Sequence, residues 1–128
     1  MRALRTLFAS ILLVPAALAQ GEDNTNKIAL KATKVAGAVY VIEDASAEFS
    51  GGNIGVSVGP DGLVLIDDKF TRIAPKVEAA LKGISKLPVR FVLNTHFHGD
   101  HINGLLTADN KPAFPNAEIL VPAAEWKY

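Results

Sequence analysis

A strand, an amphipathic helix and a second strand follow one another in the middle of this 128-residue chain. Residues 63–66 (LVLI) form a continuous apolar run directly after the turn-forming residues GPDG at 59–62. Between residues 73 and 84 the apolar positions recur at helical spacing, with charged residues between them. Residues 89–93 (VRFVL) then supply a second, largely apolar run of strand length. This succession predicts two parallel strands joined by a right-handed crossover, and therefore an α/β fold.

Short β-forming runs flank this unit on both sides. Residues 28–35 and 38–43 are rich in β-forming side chains, and residues 54–58 alternate between apolar and small side chains before the GPDG turn. Near the end of the chain, residues 118–121 predict one more strand, and Pro122 is typical of the first residue of a following helix. The sequence therefore predicts a sheet that begins with antiparallel hairpins and continues through the crossover.

Three glycines, Gly51, Gly52 and Gly55, lie at the start of the second hairpin. We interpret them as residues that allow the backbone to turn or bulge, in preference to a ligand-binding role. The sequence assigns them no part in chemistry.

The N-terminus has the three parts of a secretory signal peptide. Two arginines precede an apolar stretch over residues 7–15, and residues 17–19 (ALA) form a small-x-small cleavage sequence. We expect residues 1–19 to be removed, so that the protein is exported to the periplasm or secreted. Residues 20–27 are polar and lack periodicity, and we expect a flexible tail there before the folded region.

Composition removes several classes of partner. The chain has no cysteine, and therefore no disulfide, no thiolate metal ligand and no acylated cysteine to anchor it in a membrane after signal cleavage. Its 13 basic residues equal its 13 acidic residues and form no basic cluster. Nucleic acid is therefore excluded as a partner, and a small-molecule substrate is expected instead.

All three histidines of the chain lie within six positions, directly after the second strand of the crossover. His96, His98 and His101, together with Asp100, form the pattern H-x-H-x-D-H. At the chain's own residue frequencies this pattern would arise by chance in roughly one such sequence in ten thousand. The predicted crossover also puts the pattern at the carboxyl end of a strand, where α/β folds commonly have their sites.

Imidazole and carboxylate groups at this spacing can bind metal ions. His96 and His98 project to the same side of an extended backbone, and Gly99 allows the chain to bend after them. Asp100 at or near the N-cap of a following helix would bring His101 beside it. Such ligands suit Zn²⁺, one ion or two, with Fe or Mn as further options, and bound zinc can activate water. The competing interpretation is a solvated histidine-rich loop in which Asp100 only caps a helix.

The segment THFHGDH resembles the signature of the metallo-β-lactamase superfamily. Upstream, GLVLIDD resembles the strand of that family that ends in an aspartate. The resemblance extends from residue 38 to about residue 121. It implies a metallo-β-lactamase-like αββα sandwich, of which residues 28–128 would be the N-terminal part, roughly the first half.

The resemblance also implies a role for each residue of the pattern. His96 and His98 would bind a first metal ion, and Asp100 and His101 a second, with Asp100 also the predicted catalytic residue. Asp67 would hold a ligand imidazole in place through a hydrogen bond. An equally open interpretation of Asp67 is a turn residue at the end of its strand, beside a second aspartate.

This chain departs in several places from the pattern that is typical of the family. Most members contribute further histidines and a bridging carboxylate from downstream segments, but no histidine follows His101. Asp109, the one later aspartate, lies in the sequence TADNKP, which is typical of a surface turn. Asn103 and Gly104 occupy the place where many members have two glycines. We therefore expect the chain to be a C-terminally truncated piece that is inactive by itself.

The sequence thus predicts an exported, metal-dependent hydrolase, most simply a di-zinc enzyme that uses a metal-activated hydroxide on a small-molecule substrate. A small ester, thioester, lactam or lactone fits this chemistry, and so does a phosphate or sulfate ester. Two alternatives stay open. One is a mononuclear iron oxygenase of the same fold, in which Asp100 and His101 need not bind metal. The other is a degenerate or truncated product that binds metal without catalysis.

The signal-peptide interpretation predicts that the mature protein begins at Gln20. Intact-mass spectrometry of protein recovered from the exported fraction should show the loss of residues 1–19. Recovery of a cytoplasmic chain that retains Arg2 and Arg5 would contradict export.

Overall fold

A computed structural model describes residues 24–46 and 48–127, and shows one six-stranded sheet with the strands in sequence order. The strands are β1 (Leu30–Ala36), β2 (Val39–Asp44), β3 (Ile54–Gly59), β4 (Gly62–Ile66), β5 (Val89–Leu93) and β6 (Glu118–Leu120). The pairs β1–β2, β2–β3 and β3–β4 are antiparallel, whereas β4–β5 and β5–β6 are parallel. The predicted α/β class and the hairpins that precede the crossover are confirmed. The predicted signal peptide lies outside the described residues.

The crossover between β4 and β5 contains the predicted helix. A short 3-10 turn, Thr71–Ile73, leads into α1 (Ala74–Ile84), which has a proline in its first turn. The strands on either side are parallel, with Leu65 paired to Val92. Helical periodicity and strand length were sufficient to locate all three elements. Within the part of the chain that the structure describes, no helix is long and apolar enough to cross a membrane.

Helix α1 covers one face of the sheet and forms the core with it. Val77 and Leu81 are buried against side chains from four strands. The buried strand residues of this cluster are Ile42, Ile54, Val56, Leu63, Leu65 and Val92. Burying these side chains supplies the main free energy that holds the sheet to the helix.

The opposite face of the sheet carries apolar side chains that remain accessible. Val39, Ile66, Phe91 and Leu120 are each more than a third exposed, and the strand register places them on the side away from α1. A sheet face of this composition normally packs against a second layer. The described residues therefore make up one α layer and one β layer of the expected sandwich.

The boundaries of several elements differ from the sequence-based expectation. Part of the predicted flexible tail, Asn24–Lys27, forms a 3-10 helix, which the ammonium group of Lys76 contacts at the Asn26 carbonyl. The helix expected to open at Pro122 is a turn followed by a 3-10 helix, Glu125–Lys127. Both differences involve short terminal segments, where one or two tertiary contacts decide the backbone conformation.

The asymmetric burial of β4 predicts unequal effects of truncating two adjacent side chains. Leu65 is 0% exposed in the core, and Ile66 is 46% exposed on the opposite face. We expect Leu65→Ala to lower the free energy of unfolding by about 2–5 kcal/mol. Ile66→Ala, the matched control, should cost less than about 1 kcal/mol in this 128-residue chain. Urea denaturation measures both values, and equal losses would contradict the assignment of the core to the α1 face.

Candidate metal centre

The histidine-containing segment leaves the sheet at the end of β5 and turns into a short helix. Helix α2 spans Gly99–Ile102 and has His98, in an extended conformation, as its N-cap residue. The amide of His101 donates to the carbonyl oxygen of His98 at 2.9 Å. Asp100 therefore lies in the first turn of the helix, and not at the N-cap itself, because Gly99 already adopts the helical conformation.

The structure brings the four residues of the pattern together. The ring centroids of His96 and His98 are 4.7 Å apart, and those of His96 and His101 are 4.0 Å apart. The carboxylate Oδ2 of Asp100 lies 3.4 Å from Nε2 of His101. Three imidazoles and one carboxylate thus occupy one small region at the carboxyl end of β5.

Asp67 connects β4 to this cluster. It directly follows β4, has a left-handed backbone conformation with φ 64°, and its side chain is buried. Its Oδ1 accepts a hydrogen bond of 2.7 Å from the backbone amide of Thr95, and its Oδ2 accepts one of 2.8 Å from Nδ1 of His101. The expected hydrogen bond between Asp67 and an imidazole is therefore present, with the imidazole as the donor, so Asp67 has a contact beyond the turn that it occupies.

The same carboxylate determines which ring nitrogens face the site. A carboxylate only accepts hydrogen bonds, so Nδ1 of His101 donates to Asp67, and Nε2 is the ring nitrogen that faces Asp100. The Thr95 hydroxyl is 2.9 Å from Oδ2 of Asp67 and 2.9 Å from Nδ1 of His96. If that hydroxyl donates its proton to Asp67, it accepts a hydrogen bond from Nδ1 of His96. The other ring nitrogen of His96, Nε2, then takes no part in these hydrogen bonds. Sequence analysis missed Thr95, because no motif identified its bridging position.

Asp68 and Asn94 fix the backbone of the helix that carries His101. The side-chain amide of Asn94 donates to Oδ2 of Asp68 at 2.7 Å and to the carbonyl oxygen of His101 at 2.6 Å. Burial raises the pKa of the Asp68 carboxyl to about 6, although the hydrogen bond from Asn94 opposes the shift. A Cβ atom at Gly104 would lie only 2.0 Å from the Asp68 carbonyl oxygen. Glycine is therefore required at position 104, the second residue of the Asn-Gly pair.

A glycine loop packs against the other side of the cluster. Gly51 has φ 85°, and a Cβ atom there would lie 2.9 Å from the Cβ of Asp100. A Cβ atom at Gly52 would lie 2.6 Å from the Cε1 atom of His101. The interpretation of these two glycines as turn residues was therefore incomplete, because they allow close approach to the site. Gly55 lies within β3.

The donor set has the composition of a metal site but is not arranged as one. Among the described residues, no group of three or more His, Asp or Glu side chains is placed so as to hold an ion. Imidazole and carboxylate groups nevertheless suit zinc, and neither Thr95 nor Asp67 contacts the Nε2 atoms of His96 and His101. His98 is exposed, and its ring centroid lies 4.7 Å from that of His96. The residues present therefore fit the ion by their chemistry.

Two acidic residues outside the histidine cluster, Asp109 and Glu125, differ in their relation to the site. Asp109 lies in an exposed turn, where the Thr107 hydroxyl donates to its carboxylate at 2.6 Å. Its carboxylate also pairs with the ammonium group of Lys111 at 2.6 Å, which agrees with the surface turn expected from the TADNKP sequence. The carboxylate of Glu125 accepts a hydrogen bond of 3.1 Å from the backbone amide of Phe97, between the first two histidines. Glu125 was not predicted, since it follows β6, far along the chain.

Comparison with known proteins identifies the fold and the family. The family profile of the metallo-beta-lactamase superfamily matches residues 47–128. A linear primary-alkylsulfatase from Pseudomonas sp. (strain ATCC 19151) is 33% identical over 67 residues. A B3 metallo-beta-lactamase with an active-site glutamic acid superposes with a TM-score of 0.60 at 23% identity. The dizinc quorum-quenching lactonase AidC superposes with a TM-score of 0.56 at 19% identity. This chain belongs to the metallo-beta-lactamase superfamily.

The chain corresponds to part of each of these proteins. The alkylsulfatase match covers 52% of this chain but 13% of the relative. The two structural matches each cover 79% of this chain, and 36% of the lactamase and 47% of the lactonase. The expected N-terminal part of a metallo-β-lactamase fold is therefore confirmed. The matched length is less than half of each relative, and the activities of those proteins are not established for this chain.

The buried carboxyl of Asp68 predicts a pH-dependent stability. Its pKa is raised from 3.8 to about 6 on folding, so the folded state holds the proton more tightly than the unfolded state. This contribution is fully present below pH 3.8 and is lost as the pH rises through about 6. The loss corresponds to about 3 kcal/mol at most. In metal-free protein, Asp68→Asn should flatten the decline in unfolding free energy between pH 4 and 7. Parallel curves for the parent and the variant, measured by urea denaturation, would refute this assignment.

Proposed function

We propose that this protein is the N-terminal part of an exported, zinc-dependent hydrolase that acts on a small molecule, either an ester, thioester, lactam or lactone or a sulfate or phosphate ester. The observation that carries the proposal is the hydrogen-bonded cluster at the carboxyl end of β5. Three imidazoles and the carboxylate of Asp100 lie together there, and Asp67 fixes the ring of His101. The superfamily hydrolase fold supports the same conclusion.

The cluster would hold zinc through two pairs of side chains. His96 and His98 come from the extended segment after β5, and we assign them to a first ion. Asp100 and His101 come from the first turn of α2, and we assign them to a second ion. Bound zinc would supply Lewis acidity, which lowers the pKa of water toward neutrality and polarises the bond to be hydrolysed. Fe or Mn would suit the same ligands, with different chemistry.

Two carboxylates of the chain itself, Asp67 and Asp100, would hold or accept protons at the site. Asp67 keeps the proton of His101 on Nδ1, so that Nε2 points toward Asp100. The Asp100 carboxylate is partly exposed at the edge of the cluster and can accept a proton at Oδ2. We therefore assign Asp100 the catalytic role as well as a ligand role.

A sulfate ester is the first substrate class to test. The alkylsulfatase named above is similar over 67 residues of this chain, at 33% identity, which is higher than the identity of the lactamase and lactonase structures. A lactone and a β-lactam are the next candidates, since proteins with those activities share the fold. Hydrolysis of a primary alkyl sulfate by protein purified from the exported fraction would support the assignment. Turnover of a lactone alone would redirect the substrate class and leave the hydrolase proposal intact.

The metal identity separates hydrolysis from redox chemistry. Elemental analysis of protein purified without added metal should find zinc in excess over iron. One iron per chain without zinc would favour the mononuclear oxygenase alternative. Neither metal, together with no hydrolysis of any of the three substrates, would favour a non-catalytic product.

Export and incompleteness belong to the same proposal. A signal peptide at residues 1–19 would deliver the protein to the periplasm or the medium, where it would have no stable membrane anchor. The 128-residue chain would be a poor hydrolase by itself, because its apolar second face is exposed and its ligands come from a single segment. The balanced charge of the chain favours a small-molecule substrate as its partner over nucleic acid.

The two ligand pairs should respond differently to substitution. His96→Ala and His98→Ala should each empty the first site and reduce hydrolysis to the background rate. Asp100→Ala and His101→Ala should lower the zinc content toward one equivalent and leave part of the activity, because the first pair remains. The measurements are zinc per chain by elemental analysis and hydrolysis rate, made on the protein in its full natural length.

Phe97→Leu is the matched control in the same segment. Its ring packs edge-on against His98, with ring centroids 5.1 Å apart, so the substitution alters packing in the segment and removes no potential ligand. Since Phe97 has no side-chain donor atom, the variant should keep the zinc content of the parent. Equal zinc in the parent, His96→Ala and His98→Ala would show that the cluster is not the ligand set.

A further inference from the structure

Lys69 is the most deeply buried charged side chain among the described residues. It is 0% exposed and has a left-handed backbone conformation, φ 65°. Its ammonium group donates to the hydroxyl of Ser50 at 3.1 Å, to the carbonyl oxygen of Gly51 at 3.4 Å and to that of Gly52 at 2.5 Å. A buried ammonium group with three oxygen acceptors is a costly arrangement that persists only where those acceptors are held in place.

The three acceptors form the glycine loop that packs against the metal-binding residues. Gly51 and Gly52 approach Asp100 and His101 so closely that neither position has room for a Cβ atom. The His101 ring is therefore enclosed between Asp67, which accepts its Nδ1 proton, and the backbone of Gly52. The contacts of Lys69 join the end of β4 to this loop, on the side of the cluster opposite β5.

We propose that Lys69 is a positioning residue that clamps the Ser50–Gly52 backbone against Asp100 and His101 and so sets the geometry of the second metal site. The proposal rests on the proposed function for the identity of that site. Lys69 itself contacts neither substrate nor ion, because its ammonium group is satisfied by the loop oxygens.

Electrostatics supports the same role. Burial lowers the pKa of Lys69, and the negative charges of Asp44 and Asp100 oppose that shift. The ammonium group therefore lies within the field of Asp100, a proposed ligand, and partly balances its charge. Loss of the ammonium group would leave two carbonyl oxygens and a hydroxyl without their donor in a buried position, and the loop would move away from His101.

Lys69→Met tests the clamp, and Lys76→Met is its matched control. Lys76 also donates to backbone carbonyls, those of Asn26 and Ile28, but it lies outside the cluster. Two properties are measured in the full-length protein. The first is the affinity for each zinc equivalent, measured by calorimetry. The second is the rate at which the Nδ1 proton of His101 exchanges with water in metal-free protein, measured by NMR.

We expect Lys69→Met to weaken the affinity for the second zinc equivalent by about tenfold or more. The affinity for the first equivalent should stay within about twofold of the parent value. Exchange of the Nδ1 proton should accelerate by about tenfold or more, because the loop no longer covers the ring. Lys76→Met should match the parent in both measurements. Unchanged second-site affinity and unchanged exchange in Lys69→Met would overturn the proposal.

A chemical rescue separates the ammonium group from the bulk of the side chain. This chain has no cysteine, so in the full-length protein, with any downstream cysteine replaced by serine, Lys69→Cys can be alkylated at one position in the unfolded state and then refolded. Aminoethylation restores an ammonium group of nearly the original length, and S-propylation gives an uncharged side chain of the same size. The aminoethylated protein should regain second-site affinity and slow exchange, and the S-propyl protein should not. Equal values for the two products would refute the clamp.

The readouts distinguish this proposal from the proposed function. If the parent binds no zinc, the hydrolase proposal fails, while the proton exchange of His101 still tests the clamp. Loss of the whole sheet in the S-propyl protein, seen by circular dichroism while Lys76→Met stays folded, would assign Lys69 to global stability. That result would overturn the local role proposed for Lys69.

Discussion

The carboxylate of Asp67 is the interaction on which the arrangement of the site depends. Strands β4 and β5 are parallel neighbours, so their carboxyl ends reach the same edge of the sheet. The left-handed conformation of Asp67 turns its side chain across that edge. There the carboxylate accepts hydrogen bonds from the amide of Thr95 and from Nδ1 of His101. One buried carboxylate thereby fixes both the segment that leaves β5 and the helix that follows it.

The two residues after Asp67 extend this organisation to the other segments around the cluster. Asp68, through Asn94, holds the backbone at His101. Lys69 binds the glycine loop on the opposite side. Three consecutive polar residues at the end of one strand thus contact three different parts of the chain. Their burial is costly, and their hydrogen bonds to Thr95, Asn94 and the glycine loop offset part of that cost.

Much of this arrangement follows from local sequence, and the rest depends on tertiary contacts. Period and length located β4, α1 and β5, because each buries a regular face. Spacing alone indicated that His96 and His98 share a side. Thr95 and Lys69 escaped sequence analysis because their partners are distant along the chain, and a lysine after two aspartates normally indicates solvent exposure. The close approach of Gly52 to His101 was likewise invisible without the fold.

The central claim is that the imidazoles gathered beside Asp67 bind zinc, and NMR of the ring nitrogens tests it most directly. This chain has three histidines, so a long-range ¹H–¹⁵N spectrum of it contains three imidazole spin systems. On titration with zinc, one nitrogen in each ring should move to the shift of a metal-bound imidazole. Nδ1 of His101 should keep its proton, because Asp67 accepts it. Three unchanged rings at saturating zinc would contradict the account.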